Sequence, residues 1–280
     1  MSTISSGWAL PDTVAVTAAI VVPARYASTR YPGKPLVALR GAGGVARTLI
    51  RRSWDAAMAV PGVAKVLVAT DDERIADAAR GFGADVAMTP ENARNGTERC
   101  AAALPAVGEA DIIVNLQGDA PLTPPGFVSA LLDAMAADPT IMVATPAVRA
   151  TPEIHRRLLA DQQAGRVGGT TVAIGTGGDG LYFSKAVIPH VAPSQVGDPA
   201  LPVFLHIGVY AYRRAALEAY AALPPTPLEL LEGLEQLRFV EHGQSVRVVE
   251  VAAPSYDIWE LNNPQDVAPI EAALVARGLD

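Results

Sequence analysis

The first 150 residues alternate apolar segments with amphipathic ones, and this alternation constrains the fold more than any other feature of the chain. The apolar segments, such as "KVLVAT" and "DIIVNL", are rich in β-branched residues, as strands buried on both faces of a sheet are. The amphipathic segments have helical spacing, and "DERIADAARGFG" ends in glycine, a common helix terminator. The pattern predicts an α/β fold, a mostly parallel sheet with helices on both faces.

The predicted elements divide the chain into two parts that differ in how strands and helices alternate. In the first part we predict strands at residues 14–22, 65–70, 84–88 and 110–121 and helices at 47–58, 72–83 and 96–104. In the second we predict a glycine-rich β-hairpin at 167–189, an exposed loop at 192–204, strands at 204–214 and 245–252, and helices at 214–222, 227–241 and 263–277. We therefore expect a flexible tail at 1–13 and one domain at 14–280. Residues 151–205 would be an inserted β-rich subdomain that covers a site or pairs with a second subunit.

Composition and charge exclude several classes of function. The chain has 29 acidic and 22 basic residues, a net charge of -7, which disfavours nucleic acid as a partner. Its single cysteine, Cys100, excludes an internal disulfide and a cysteine-cluster metal site, and it fits a reducing compartment. No apolar stretch approaches the ~20 residues that cross a bilayer. The N-terminal segment lacks the positive start of a secretory signal, so we expect a cytoplasmic protein.

Three polar segments follow predicted strands at the edge where such sheets bind ligands. "PARYASTR", "TDDE" and "QGDAP" all come directly after apolar runs, and the carboxyl ends of parallel strands face one crevice. The first segment continues into "YPGKPL" and contributes Arg25, Arg30 and Lys34, but it has neither a dinucleotide fingerprint nor a Walker phosphate loop. Three cations in a turn suit a polyphosphate. The alternative is a solvated cationic loop.

Asp119 helps to decide between a polyphosphate site and a solvated cationic loop, because a carboxylate at the tip of an apolar strand is poorly explained by packing. Beside a triphosphate site it would be the expected anchor for Mg²⁺, which prefers oxygen ligands. The alternative is a turn or helix-capping aspartate before "PLTPPG". Together with the cationic loop, the metal interpretation is favoured.

The same segments resemble a known family. "IVVPARYASTRYPGKPL", "VATDDERIADAA", "NGTERCAAAL", "IIVNLQGDAPL", "LYFSKAVIP", "HIGVYAYRR" and "PLELLEGLEQLR" are similar, in order and spacing, to the 3-deoxy-manno-octulosonate (Kdo) cytidylyltransferases. The resemblance covers residues 15–277. It implies a Rossmann-like nucleotidyltransferase sheet with an inserted dimerisation subdomain, a homodimer, and a Mg²⁺-dependent reaction of CTP with Kdo that gives CMP-Kdo and pyrophosphate.

The resemblance also implies roles for individual residues. Arg25, Lys34 and Asp119 would be catalytic, with Asp119 and Asn262 at the metal. The nucleotide would contact Ala24, Arg25, Ser28, Lys34, Thr70, Asp71, Gly96, Thr97, Arg99 and Gln117. The sugar acid would contact Arg30, Gln117, His206, Tyr210, Glu235 and Gln236. For His206 the alternative is a structural histidine, and for Glu235 and Gln236 a solvent-facing helix surface. Tyr182, Phe183 and Tyr212 are interpreted as core residues.

Four departures from the family pattern bear on these roles. Asn262 replaces the second metal-binding carboxylate, with Glu260 or Asp257 as possible compensation, and Ala120 replaces the glutamate of "QGDEP". A lysine is missing near Thr170 and Thr171, and Leu230 replaces a histidine. The last two lie in the half expected to meet the acceptor. The sequence therefore leaves three hypotheses: a Kdo cytidylyltransferase, CMP transfer to a different acidic acceptor such as another ulosonic acid or a phosphonate, and a catalytically weak nucleotide-binding relative.

Overall fold

The computed structural model describes residues 16–27 and 31–280, so the predicted tail at residues 1–13 lies outside the described part. The strands found there are β1 (Ala18–Ala24), β2 (Ala38–Arg40), β3 (Ala46–Thr48), β4 (Lys65–Thr70), β5 (Asp85–Met88), β6 (Ile112–Leu116), β7 (Val143–Arg149), β8 (Thr170–Ile174), β9 (Gly180–Ser184), β10 (Phe204–His206), β11 (Val209–Arg213) and β12 (Arg247–Val251). The helices found there are α1 (Leu49–Met58), α2 (Glu73–Gly81), α3 (Gly96–Ala102), α4 (Pro125–Ala137), α5 (Pro152–Gln163), α6 (Arg214–Ala222), α7 (Pro227–Glu232), α8 (Leu237–Glu241) and α9 (Val267–Ala276).

The parallel half of the main sheet has the strand order β5-β4-β1-β6. Each of its neighbouring pairs is parallel, and Val21 of β1 lies between Leu67 of β4 and Asn115 of β6. Every residue of β1 and of β6 is buried, as the unbroken apolar runs predict. The α/β fold is confirmed, and the ends of β1, β4 and β6 lie side by side.

The other half of the sheet is largely antiparallel. Strand β11 pairs antiparallel with β6 on one side and β7 on the other, and β10 continues along β7 and pairs antiparallel with β8. Strand β7 flanks both β10 and β11 on the same side. Their partners on the opposite side, β8 next to β10 and β6 next to β11, therefore lie one beyond the other. The β8–β9 hairpin therefore stands just beyond the carboxyl end of β6. The predicted hairpin is confirmed, and its strands extend the main sheet.

The antiparallel half curls back on itself. Strand β12 pairs in parallel with the free side of β7. A bridge between Asp179 and Arg247 then joins the start of β9 to β12, and Gly180 N donates to Val246 O at 2.8 Å. The curled strands enclose apolar side chains that include Val172, Phe183 and Val248.

Two apolar cores lie on opposite faces of the sheet. Helices α1, α2 and α4 cover one face, where Ile20, Ile50 and Leu131 are fully buried. Helices α3, α6 and α8 cover the other face, where Val21 and Cys100 belong to the core. Alternate residues of β1 thus point into different cores, as a strand buried on both faces requires. No helix within residues 16–27 and 31–280 is long and apolar enough to cross a membrane.

Several predicted boundaries are wrong, and the strand predicted at 110–121 covers only Ile112–Leu116. The helix predicted from residue 47 begins at Leu49, because Arg47 and Thr48 belong to the β2–β3 hairpin, whose strands of three residues are too short to show alternation. The helix predicted at 227–241 is two helices, divided at Gly233 with a φ of 62°. The strand predicted at 204–214 is divided between β10 and β11. Helix α9 packs on the β2–β3 hairpin around a small core that includes Leu39 and Leu274.

Candidate active site

The turn that presents Lys34 is shaped by Gly33. Gly33 has a φ of 69°, a conformation that favours glycine, and its N–H donates to Tyr26 O at 3.0 Å. A Cβ at Gly33 would lie 3.1 Å from the Tyr26 ring. The guanidinium of Arg74 covers that ring at 3.3 Å from its centroid. Packing against Tyr26 therefore fixes the start of the 3₁₀ turn that begins at Lys34.

Asp119 reaches the same turn because the chain after β6 passes very close to β1. Gly118 N donates to Pro23 O at 3.2 Å, and a Cβ at Gly118 would lie 2.5 Å from that oxygen, so only glycine fits. The next residue, Asp119, forms an ion pair with the Lys34 ammonium, and both side chains are partly buried. The structure thus brings the cationic loop and the carboxylate after the central strand into direct contact.

The segment after β12 supplies further oxygen donors beside Asp119. Leu261 N donates to Asp119 O at 2.9 Å, which brings the neighbouring Asn262 and Glu260 to the same place. Asn262 Nδ2 lies 3.4 Å from Glu260 Oε2. Asp257 instead pairs with Arg157 on α5 at 3.2 Å. Carboxylate and amide oxygens are hard ligands that fit Mg²⁺, and Glu260 contacts Asn262 whereas Asp257 pairs with Arg157.

No group of three or more His, Cys, Asp or Glu side chains in residues 16–27 and 31–280 is arranged to hold a metal ion. Magnesium in nucleotide sites is commonly held by one or two carboxylates together with the phosphates of the substrate. The donors around Asp119 fit this type of site.

The predicted nucleotide residues at the end of β4 are tied to one another. Asp71 and Arg99 form a buried ion pair at 3.1 Å, and Arg99 Nη1 donates to Thr89 Oγ1 at 2.6 Å. Thr70 is fully buried, and its hydroxyl accepts from Asp72 N at 3.3 Å. These contacts fasten the end of β4 to α3.

Glu235 joins the start of α3 to the end of β6. Its carboxylate accepts hydrogen bonds from Thr97 N at 2.8 Å and Gln117 Nε2 at 3.2 Å. Burial raises the pKa of the Glu235 carboxyl above its usual value. Gly96 allows this approach, because a Cβ there would lie 2.8 Å from Gln117 Nε2. Four of the predicted site residues are therefore in one connected group next to Asp119.

Tyr210 and Gln236 continue this group, whereas His206 lies behind it. The Tyr210 hydroxyl donates to Gln236 Oε1 at 2.9 Å, and both side chains are buried. His206 packs edge-on against Phe183 and beside Tyr210, and its Nε2 lies 2.9 Å from Thr145 Oγ1. Burial lowers the pKa of His206 to about 3. The ring is neutral at physiological pH and offers no charge to an acidic sugar.

The buried His206 should make stability depend on pH. Its folded pKa of about 3 lies below the ordinary value of 6.5, so only the unfolded chain gains a proton as the pH falls below about 6.5. We expect the wild-type free energy of unfolding to fall by about 1 kcal/mol from this group between pH 7 and pH 5.5. His206→Gln should remove that part of the fall, measured by urea denaturation at both pH values. The exposed His242→Gln should keep the wild-type dependence. Equal pH dependence in His206→Gln and wild type would contradict this assignment.

Of the four remaining predicted site residues, two lie in the described part of the chain and two do not. Ala24 is buried at the end of β1, and Arg25 is exposed directly after it. Ser28 and Arg30 lie outside the described residues.

The departures from the family pattern also have distinct surroundings. Ala120 is buried and its carbonyl accepts from Thr123 N at 3.3 Å. The Thr171 hydroxyl donates to Ala186 O at 2.7 Å and accepts from Ile188 N at 3.0 Å, so it anchors the segment after β9. Leu230 on α7 is 68% exposed.

Sequence reasoning missed several residues that build the site. Tyr212 lies in the apolar core, as predicted, and its hydroxyl is in addition 2.7 Å from Thr97 Oγ1. Both side-chain polar atoms of the buried Asn115 and Nε2 of Gln236 have no hydrogen-bond partner in the part of the chain that the structure describes. Arg238, one residue beyond "EQL", is almost completely buried in a network with Glu229 and Glu98. The only sequence signal for Arg238 was its position at the end of "LEQLR".

Comparisons with known proteins agree with this architecture. A family model described as cytidylyltransferase matches residues 19–246. The chain is 44% identical over 259 residues to the 3-deoxy-manno-octulosonate cytidylyltransferase of Maricaulis maris, covering 92% of this chain and 97% of that protein. It is 39% identical over 264 residues to the enzyme of the same name from Syntrophotalea carbinolica, covering 92% and 98%. A solved structure of a CMP:2-keto-3-deoxy-manno-octonic acid synthetase complexed with CTP superposes with a TM-score of 0.79 at 35% identity, covering 93% of this chain and 99% of that one. The chain therefore belongs to the cytidylyltransferases, and within them to the 3-deoxy-manno-octulosonate cytidylyltransferase family.

Proposed function

We propose that this protein transfers CMP from CTP to the anomeric hydroxyl of Kdo and releases pyrophosphate. The observation that carries the proposal is the contact between Lys34 and Asp119 at the carboxyl ends of β1 and β6. This contact supports one site in which a cation would bind phosphate and a carboxylate would bind metal, and family membership supports the choice of substrates.

The reaction requires positioning and charge stabilisation more than covalent chemistry. The anomeric oxygen attacks the α-phosphorus of CTP and loses its proton. The bond from that phosphorus to the bridging oxygen breaks, and pyrophosphate leaves in line with the attack. Lys34 and Arg25 would hold the phosphates and offset the charge that grows on their oxygens. No side chain is assigned as nucleophile or general base.

Asp119 would hold Mg²⁺. Asn262 and Glu260, which flank the residue that bonds to the Asp119 carbonyl, would supply further oxygen ligands. When bound, the ion would neutralise phosphate charge and activate the attacking hydroxyl. Asp119 and Lys34 pair with each other in the structure, so each charge has a partner of opposite sign. Lys34 would then pair with the phosphates, and both charges would remain compensated.

The group around Glu235 would bind the acceptor. Its donors and acceptors come from Gln117, Tyr210, Glu235 and Gln236, and the β8–β9 hairpin stands at its border. Buried polar atoms without partners cost about 1–3 kcal/mol each, and sugar hydroxyls, which both donate and accept, suit the unpaired amides of Asn115 and Gln236. Arg30 stays a prediction for the sugar carboxylate, while His206 would support Tyr210 from behind.

An assay with CTP, Mg²⁺ and a panel of acceptors tests this function by following pyrophosphate release. We expect release with Kdo, above a control without acceptor, because the residues proposed to bind the acceptor and those proposed to bind the phosphates adjoin at Gln117 and Asp119. Release only with another ulosonic acid or a phosphonate would support a different acceptor. This hypothesis rests on Thr171, near which the family has a lysine, and on Leu230, where the family has a histidine. Absence of release with every acceptor would support a nucleotide-binding relative without turnover.

We also propose a homodimer in the cytoplasm. Strand β9 and helix α7 carry three leucines, Leu181, Leu230 and Leu231, that are largely exposed. Exposed apolar side chains of this size are common where a second subunit binds. A single cysteine fits a reducing compartment.

A further inference from the structure

We infer that Arg238 is a positioning residue for the acceptor half of the site, holding the segment with Glu235 and Gln236 against the first turn of α3 without touching substrate. The inference rests on the proposed function, because it assigns the Glu235 group to the acceptor.

Arg238 connects helices that are distant in sequence. Its Nε and Nη2 donate to the two carboxylate oxygens of Glu229 on α7, at 2.7 and 2.5 Å. Its Nη1 donates to Glu98 Oε1 on α3 at 3.0 Å. The guanidinium also lies over the ring of Tyr220 on α6, 4.1 Å from its centroid. Since the Arg238 side chain is only 1% exposed, α3, α6, α7 and α8 meet around one buried cation.

The same contacts lead directly to Glu235. The Tyr220 hydroxyl donates to the Glu235 carbonyl at 3.1 Å, and the Glu235 carboxylate is held by Thr97 N and Gln117 Nε2. Residues 233–236 form the short link between α7 and α8, so Glu229 on one side and Arg238 on the other clamp its two ends. A shift of the guanidinium would move Glu235 and Gln236 together.

Helix α3 has anchors that do not depend on Arg238. Arg99 pairs with Asp71, and Thr97 Oγ1 contacts the Tyr212 hydroxyl. Loss of the Arg238 contacts should therefore displace the α7–α8 link rather than the segment beside the nucleotide. This asymmetry predicts an effect on the acceptor with little effect on CTP.

The geometry of the guanidinium, rather than its charge, performs this role. Two parallel N–H groups meet both oxygens of Glu229 while a third reaches Glu98, an arrangement that the single ammonium of lysine cannot reproduce. Burial by itself would lower the pKa of Arg238, but the hydrogen bonds to Glu229 and Glu98 raise it. Arg238→Lys keeps a positive charge near Glu229 and removes the fork, so it tests position alone.

The test measures steady-state pyrophosphate release by Arg238→Lys in the full chain, with the acceptor that the wild type uses. We expect the acceptor KM to rise ~10-fold or more, because small displacements of substrate-positioning groups cost this much or more. The KM for CTP and the CTP affinity by calorimetry should stay within about twofold, since the α3 anchors remain. A residue that acts only on stability would lower the melting temperature and the active fraction and leave both KM values unchanged.

Arg52→Lys is the matched control. Arg52 is also buried, and it donates to Leu39 O at 2.6 Å and Val45 O at 3.2 Å, in the β2–β3 hairpin. The same substitution there should lower the melting temperature and leave the acceptor KM unchanged. Glu229→Gln should raise the acceptor KM in the same direction, and the effect of the double variant should be smaller than the sum of the two single effects, because both weaken the shared Arg238–Glu229 interaction.

Glu98→Gln provides a milder variant in case Arg238→Lys does not fold, since it leaves the fork to Glu229 and weakens the third contact of the guanidinium together with the Arg94–Glu98 ion pair. We expect a smaller rise of the acceptor KM in the same direction. An unchanged acceptor KM in every folded variant, with an active wild type, would overturn the inference alone. A wild type that releases no pyrophosphate with any acceptor would overturn the proposed function and the inference with it.

Discussion

Asp119→Asn is expected to reduce pyrophosphate release by about 10³-fold or more while the protein stays folded. Asparagine keeps the size and one oxygen of the side chain but removes the charge that would hold Mg²⁺ and that pairs with Lys34. The folded state should lose little, because partly exposed ion pairs contribute about 1 kcal/mol or less. Steady-state assays with CTP, Mg²⁺ and Kdo measure the activity, and thermal denaturation measures the fold.

Asp55→Asn is the control for this variant. Asp55 is partly buried to a similar degree and pairs with Arg51 of α1 and Arg47 of β3, outside the candidate site. Its substitution should leave turnover at the wild-type level. If Asp119→Asn retained normal turnover, Asp119 would not be the metal carboxylate and its position at the end of β6 would need another explanation.

Lys34→Met is the second variant with a large expected effect. It should reduce kcat/KM for CTP by about 10²-fold, mainly through a higher KM, because a cation is lost from the triphosphate site. Methionine retains most of the apolar length, so the Gly33 turn and its packing on Tyr26 should persist. Titration calorimetry with CTP and Mg²⁺ measures the loss of affinity directly.

Lys65→Met is the control for Lys34→Met. Lys65 begins β4 and pairs with the exposed Asp85 at 3.5 Å, at the end of the sheet opposite the candidate site. Its substitution removes the same charge from the protein and should leave CTP affinity unchanged. Equal losses in the two variants would show that net charge, and not a specific contact of Lys34, governs CTP binding.

The parallel half of the fold and the meeting of Lys34 with Asp119 follow from local sequence. The runs that become β1, β4 and β6 are largely apolar because most of their residues are buried on both faces of the sheet. Once their parallel order is inferred, residues just after each strand must lie at one edge. The glycines at 33 and 118 then allow the close approach that places the two side chains in contact.

The acceptor half of the site was not predictable in the same way. Arg238 and Glu229 are charged residues on short helices, a pattern typical of a solvent-facing surface, and the structure buries both. Their burial depends on partners from α3, more than 100 residues earlier in the chain, and no local pattern reports such pairing. The hairpin β2–β3 was missed for a different reason, because three residues are too few to show alternation.

The place of β7 in the sheet bears on how the chain must fold as it is synthesised. Among the described residues, the strands that pair with β7, namely β10, β11 and β12, all begin at Phe204 or later. A ribosome must therefore add more than 50 residues after β7 before either of its edges finds a neighbour. During that interval an apolar strand is unpaired, the kind of species that associates wrongly with other chains. Completion of the domain thus depends on the last third of translation, and premature release should yield aggregates rather than a smaller folded enzyme.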